Sequence, residues 1–110
     1  MQLQHKLVFH IPEKAWRPYG YVDLKIESHL DQLLDSLKLS GYTSLYIENA
    51  TGYYNARSYP EKLITIYYSN NIEKLLNIFR DWFLTNHNFY QEVMAYELDS
   101  SMYLEQLEET

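Results

Sequence analysis

Alternating apolar and polar residues define the first regular element of the chain, over residues 5–11. Leu7, Phe9 and Ile11 share one side of this segment, while mostly polar residues share the other. A period of two is typical of a β-strand with one buried face. Pro12 ends the predicted strand, because proline has no N–H group to donate to a neighbouring strand.

Two later segments repeat their apolar residues at the spacing of an α-helix. The first has Ser28 as its expected N-cap and Gly41 just beyond its end. Residues 22–26 alternate like a strand but also continue the helical stripe, and we place the start of the helix between Asp23 and Ser28. The second begins with Asn70 and Glu73, which resemble a capping box, and ends near Asn86. The two predicted apolar stripes are Leu30, Leu33, Leu34 and Leu37, then Ile72, Leu75, Leu76, Phe79 and Phe83.

Three more segments are predicted strands: residues 42–49, 62–68 and 92–98. The middle one is rich in β-branched and aromatic residues, which favour strands. Beyond the first of them, Gly52 predicts a bulge or a bend. Residues 13–21 mix turn formers with large aromatic side chains, and we interpret them as a loop.

The resulting order, β-α-β-β-α-β, predicts an α+β fold of the ferredoxin-like sandwich type. In that fold a four-stranded antiparallel sheet carries both helices on one face. We assign residues 1–99 to this single domain and residues 100–110 to an acidic C-terminal tail that docks in part. Within the tail, residues 102–104 are expected to dock, and residues 108–110 are expected to fray.

The second face of the predicted sheet is apolar whichever phase strand 62–68 adopts. One phase presents Ile64, Ile66 and Tyr68 to that face, and the other presents Leu63, Thr65 and Tyr67. An exposed apolar face is usually an interface. We therefore expect a homo-oligomer, with a dimer as the leading form and a trimer second.

Composition and charge limit the possible partners. The chain has 110 residues, enough for one domain, and contains no Cys, which excludes disulfides and thiolate chemistry. Its net charge of −6 repels nucleic-acid phosphate, so we expect no nucleic-acid partner. The chain has no charge-free stretch near the ~20 residues of a membrane span and no signal-peptide pattern at its start. These features predict a cytoplasmic protein with no membrane partner.

The arrangement of elements resembles a known group of proteins. Residues 41–54 combine a helix exit, a strand and a glycine–aromatic turn, and a strand, a helix opened by Asn70 and Asn71, and a last strand follow. This order resembles the oligomeric ferredoxin-like proteins: nitrogen-regulatory PII proteins, CutA divalent-ion tolerance proteins and dimeric α/β-barrel proteins. The resemblance implies an oligomer but not nucleotide sensing, because the loop after the second strand is short and contains few cations.

Candidate chemistry is sparse. His5 and His10 are an odd number of residues apart on one strand, so they face opposite sides and cannot chelate together. We predict no metal site, no cofactor and no catalytic residue. Glu48, beside Tyr46, is the one carboxylate that we place on a sheet face where a pocket could shift its pKa, and we expect it to face solvent.

The strongest signal for function is a set of aromatic residues with interleaved arginines. Rings and guanidinium groups together can hold a planar or anionic ligand, although they are also enriched at protein interfaces. The function predicted is an oligomeric binding or regulatory module that presents aromatic loops to a small ligand or protein. A small cofactorless enzyme of the dimeric α/β-barrel type is the alternative. The predicted ligand-binding residues are Trp16, Arg17, Tyr19, Tyr53, Tyr54 and Arg57.

Overall fold

The computed structural model describes residues 3–86 and 93–107. The strands are β1 (His5–Pro12), β2 (Lys14–Arg17), β3 (Gly20–Asp23), β4 (Leu45–Tyr54), β5 (Arg57–Tyr68), β6 (Val93–Leu98) and β7 (Ser101–Gln106). Helix α1 spans Glu27–Leu39, between β3 and β4, and helix α2 spans Ile72–Thr85, between β5 and β6. No helix in these described ranges is long and apolar enough to cross a membrane.

The strands form one antiparallel five-stranded sheet, in the order β4-β5-β1-β6-β7, and a separate two-stranded sheet of β2 and β3. The predicted four-stranded ferredoxin-like sandwich is therefore wrong. Residues 101–106 pair with β6 as an edge strand, and residues 14–23 fold into a hairpin rather than a loop. Strands β2 and β3 have four residues each, the shortest length over which a period of two indicates a strand.

An ion pair holds the acidic end of the chain against the rest of the protein. The Arg80 guanidinium on α2 donates two hydrogen bonds to Glu105 on β7, at 2.5 and 2.7 Å. Leu107, just past the strand, is buried in the core. Repulsion among the acidic residues is thus offset by a cation from another element. The fraying expected for residues 108–110 lies outside the described residues.

The core lies between the five-stranded sheet and the two helices. Phe9 of β1 stacks on Phe79 of α2, with ring centroids 3.5 Å apart. In the predicted stripe of α2, Leu75, Leu76, Phe79 and Phe83 are buried and Ile72 is partly buried, so this helix assignment is confirmed.

We call the face of the sheet opposite the helices the open face. The phase of β1 and β5 determines which side chains lie on it. Ile64 and Ile66 are fully buried in the core, and the intervening positions point to the other side. Of the two phases that the sequence left open, the structure therefore has the one that places Leu63, Thr65 and Tyr67 on the open face. Glu61 belongs to the same set and is only 3% exposed.

The core assignment predicts that Leu76→Ala lowers the free energy of unfolding by about 2–5 kcal/mol, because it leaves a cavity beneath α2. Leu39→Ala is the matched control, since Leu39 ends α1 and is 88% exposed. Its expected effect is within about 0.5 kcal/mol. Urea unfolding measures both, and equal losses in the two variants would contradict the assignment of the core.

Candidate functional site

A surface cavity of about 830 Å³ lies between the β2–β3 hairpin and the tip of the β4–β5 hairpin. We call it the aromatic pocket. Its lining residues are Pro12, Lys14, Ala15, Trp16, Arg17, Tyr54, Asn55, Arg57, Tyr59 and Val93. Three of them are cationic and none is acidic, so the local charge of this wall is positive.

Contacts between aromatic rings and the backbone hold the β2–β3 hairpin beside β5. The N–H of Glu13 donates to the carbonyl of Pro60 at 2.8 Å, just past the paired part of β1. The Tyr21 hydroxyl donates to the carbonyl of Ser58 at 2.9 Å. The Tyr21 ring also packs edge-on against Tyr59, at 5.7 Å between centroids. These contacts place the hairpin as one wall of the pocket.

The second wall comes from the turn that joins β4 and β5. Asn55 and Ala56 have φ values of 50° and 60°, as both central residues of a type I′ turn require. The turn sets Tyr54 directly opposite Arg57 in the strand register. The Arg57 guanidinium then lies 4.5 Å from the centre of the Trp16 ring, in a cation–π contact between the two walls.

The aromatic pocket brings together four of the six predicted ligand-binding residues: Trp16, Arg17, Tyr54 and Arg57. Tyr19 and Tyr53 are 82% and 77% exposed and do not line it. Tyr53 and Tyr54 are adjacent on one strand, so their side chains point to opposite faces. The sequence argument did not choose between them. Lys14 and Tyr59 line the pocket but were not among the predicted site residues.

A second group of functional side chains adjoins the aromatic pocket on the open face. His10 Nδ1 lies 3.2 Å from Glu61 Oε1, and the Tyr54 hydroxyl donates to Glu61 Oε2 at 3.3 Å. His10 Nε2 lies 3.8 Å from Glu97 Oε2. We call these four residues the Glu61 cluster. Tyr54 belongs to both the cluster and the pocket, and it therefore joins them.

Gly52 allows the Tyr54 ring to reach Glu61. A Cβ atom at position 52 would lie 2.6 Å from Tyr54 Cε2 and 3.0 Å from Glu61 Oε2. The ladder between β4 and β5 runs without interruption through this position, so the bulge or bend expected there is wrong. The glycine instead serves a close approach between two side chains and the backbone.

Burial and charge shift the pKa values within the Glu61 cluster. The hydrogen bond to Glu61 raises the pKa of His10 above 6.5, against desolvation and with help from the charges of Glu61 and Glu97. Desolvation, followed by the charge of Glu61, raises the pKa of Tyr54 above 10.0. The carboxylates therefore favour the protonated form of the His10 imidazole, and burial favours the neutral form of the Tyr54 phenol.

The sequence argument missed this cluster and considered a different carboxylate. Glu48 is exposed on β4, as expected. Glu61, by contrast, precedes the predicted strand 62–68 and lies outside every predicted element, although the structure includes it in β5. Its position on the open face depends on the phase of β5, which the sequence left undecided.

The part of the chain that the structure describes contains no cluster of side chains suited to bind a metal ion. Over residues 3–86 and 93–107, no group of three or more metal-ligating side chains converges on one point. His87, the fourth histidine of the sequence, lies outside these ranges.

Comparisons with known proteins place the fold but not the family. No protein-family model and no curated protein matches the chain. Among solved structures, the chain is similar to a phage SAM lyase in complex with S-methyl-5'-thioadenosine, with a TM-score of 0.55 and 12% sequence identity. The match covers 96% of this chain and 94% of that chain. It shows a distant similarity of fold, and it does not confirm the resemblance to PII or CutA proteins.

Proposed function

We propose that the aromatic pocket binds a small adenosyl ligand that carries a carboxylate, with S-adenosylmethionine (SAM) as the representative compound. The observation that carries this proposal is the composition of the pocket. Trp16, Tyr54 and Tyr59 line the same cavity as Arg17 and Arg57. Aromatic rings stack on a planar base, and guanidinium groups pair with a carboxylate through two hydrogen bonds.

The size of the pocket and the distant similarity of fold support this class of ligand. A volume of about 830 Å³ is within the range of roughly 300–1,000 Å³ for small-molecule pockets. The similar phage enzyme is named for SAM and contains S-methyl-5'-thioadenosine, an adenosine thioether. The fold can therefore support the binding of such a ligand, and the pocket residues supply the chemistry for it.

A second candidate function is a cofactorless lyase reaction on SAM, which the Glu61 cluster favours. Release of S-methyl-5'-thioadenosine breaks the bond between the sulfonium sulfur and the amino-acid chain, and the electron pair stays on sulfur. The remaining fragment either closes through its own carboxylate or loses a proton. In the second route, Glu61 beside His10 is the proton acceptor, at 3.2 Å from the imidazole.

We also propose that the protein is a homo-oligomer, with a dimer favoured over a trimer. Large apolar side chains are exposed on the edge strand β7 and on the open face. Leu104 is 72% exposed, and Met102 and Tyr46 are about half exposed. Exposed apolar groups of this kind favour association, because contact removes them from water.

The first prediction concerns ligand affinity, measured by isothermal titration calorimetry with SAM. Trp16→Ala and Arg57→Gln should each weaken binding by about tenfold or more, since each removes a stacking or charged contact. Tyr53→Ala is the matched control, because Tyr53 is exposed and lies outside the pocket. Equal weakening in the control, or no binding of SAM to the wild type, would contradict the proposal.

A second prediction tests the lyase candidate. Wild-type protein incubated with SAM should release S-methyl-5'-thioadenosine faster than the spontaneous rate, as measured by liquid chromatography. Glu61→Gln should lower that rate by roughly 100-fold or more, as loss of a general base does. Glu48→Gln, at an exposed carboxylate of the same face, should leave it unchanged. Product formation at only the spontaneous rate would exclude the lyase function.

The third prediction concerns assembly, measured by light scattering at high micromolar concentration. Wild-type protein should have at least twice the chain mass of 13.3 kDa. Leu104→Lys should lower the mass, because it puts a charge into the apolar contact. Leu39→Lys, at an even more exposed leucine on α1, should not change the mass. A wild-type monomer would refute the proposal.

A further inference from the structure

The Glu61 cluster differs in charge from the pocket that it adjoins. The aromatic pocket has cationic walls, whereas the cluster contains two carboxylates that face one imidazole. His10 Nε2 is buried and makes no hydrogen bond, since Glu97 Oε2 stays 3.8 Å away. The side of His10 toward Glu97 therefore has weaker contacts than the side toward Glu61.

The charge of the cluster depends on a single proton. With His10 protonated, one imidazolium faces the carboxylates of Glu61 and Glu97, which leaves one negative charge in excess. With His10 neutral, the excess is two negative charges. Because Glu61 is buried, this difference acts at reduced screening and is felt strongly by any nearby cation.

We propose that the Glu61 cluster is the subsite for the positive sulfonium of the ligand, and that His10 determines how strongly it binds. The ligand's sulfonium and the proton of His10 then compete for the same two carboxylates. This inference rests on the proposed adenosyl ligand in the aromatic pocket. Tyr54 provides the physical link, since its ring lines the pocket and its hydroxyl contacts Glu61.

The other titratable groups on the open face include carboxylates, a lysine and tyrosines. Glu61 comes from β5, Glu97 from β6 and Tyr54 from β4, and Glu48 lies in the same cross-strand row as His10. Lys6 is on the same face of β1, two positions along, and Tyr46 and Tyr67 lie further along this face. Strand β7 contributes only Met102, Leu104 and Gln106 to this face. Histidine is the residue type whose ordinary pKa lies between pH 6 and 8, which makes His10 the group of interest on this face.

Two ligands separate the effect of the sulfonium from all other contacts. SAM and S-adenosylhomocysteine share the adenosine and the amino acid, and they differ in one methyl group and the positive charge. The ratio of their dissociation constants, measured by calorimetry, reports the interaction of the charge with the protein. Since the pKa of His10 is raised above 6.5, the proton is lost as the pH rises through that higher value.

The expected result is a preference for SAM that rises at least fivefold between pH 6.0 and 7.5. A strict exchange of one proton for one cation gives at most about tenfold per pH unit. Binding of SAM should also release more protons than binding of S-adenosylhomocysteine, which calorimetry detects in buffers of different ionisation enthalpy. A preference that does not change with pH in the wild type would overturn the proposal.

Variants test whether the pH dependence of the preference for SAM comes from the Glu61 cluster. His10→Gln should keep the preference for SAM high and nearly constant with pH, and any remaining slope there is the titration of the ligands themselves. Glu61→Gln should reduce the preference at every pH while S-adenosylhomocysteine still binds. If Glu61→Gln does not fold, Glu97→Gln provides the same test from the other side of the imidazole. Glu48→Gln should retain the wild-type slope.

Two negative results are distinguishable. Equal affinities for SAM and S-adenosylhomocysteine at all pH values would overturn the sulfonium subsite and leave the adenosyl pocket standing. Absence of binding by both compounds would overturn the pocket and the subsite together.

Discussion

Strand β5 is hydrogen-bonded along both of its edges, to β1 and to β4, and the remaining elements are positioned from it. Its alternating residues serve both faces of the sheet: Ile64 is buried in the core, and Glu61 lies on the open face. Lys62, on the same side of the strand as Ile64, reaches the carboxylates of Glu13 and Glu27 at 3.4 Å. One strand thus connects the hairpin, the start of α1 and the candidate site.

Burial of the Glu61 carboxylate on the open face has an energetic cost. An isolated buried carboxylate is strongly destabilising, and it persists only with hydrogen bonds and a compensating charge. His10 contacts one carboxylate oxygen of Glu61 and can supply the compensating charge, and the Tyr54 hydroxyl donates a hydrogen bond to the other oxygen. Because Tyr54 also lines the aromatic pocket, the same contacts that make burial tolerable connect the carboxylate to the pocket. Stability and the candidate function therefore depend on the same residues.

At the acidic end of the chain, too, a carboxylate is stabilised by hydrogen bonds and an opposite charge. The Arg80 hydrogen bonds lower the pKa of Glu105, and Glu105 in turn raises the pKa of Arg80. A paired charge on a neighbouring helix outweighs repulsion between residues that are close in sequence. This pair joins α2 to β7, the fifth strand of the sheet. A local count of charges could not anticipate this, because Arg80 is 25 residues away from Glu105.

The sequence by itself determined three elements with strong local signals: β1, the apolar stripe of α2, and a strand over residues 62–68, which are rich in β-branched and aromatic side chains. It also named four of the ten residues that line the pocket: Trp16, Arg17, Tyr54 and Arg57. Only the tertiary structure decided the number of strands, the phase of β5 and the proximity of His10 to Glu61. These depend on pairing between residues far apart in the chain, and a local pattern contains no information on the partner.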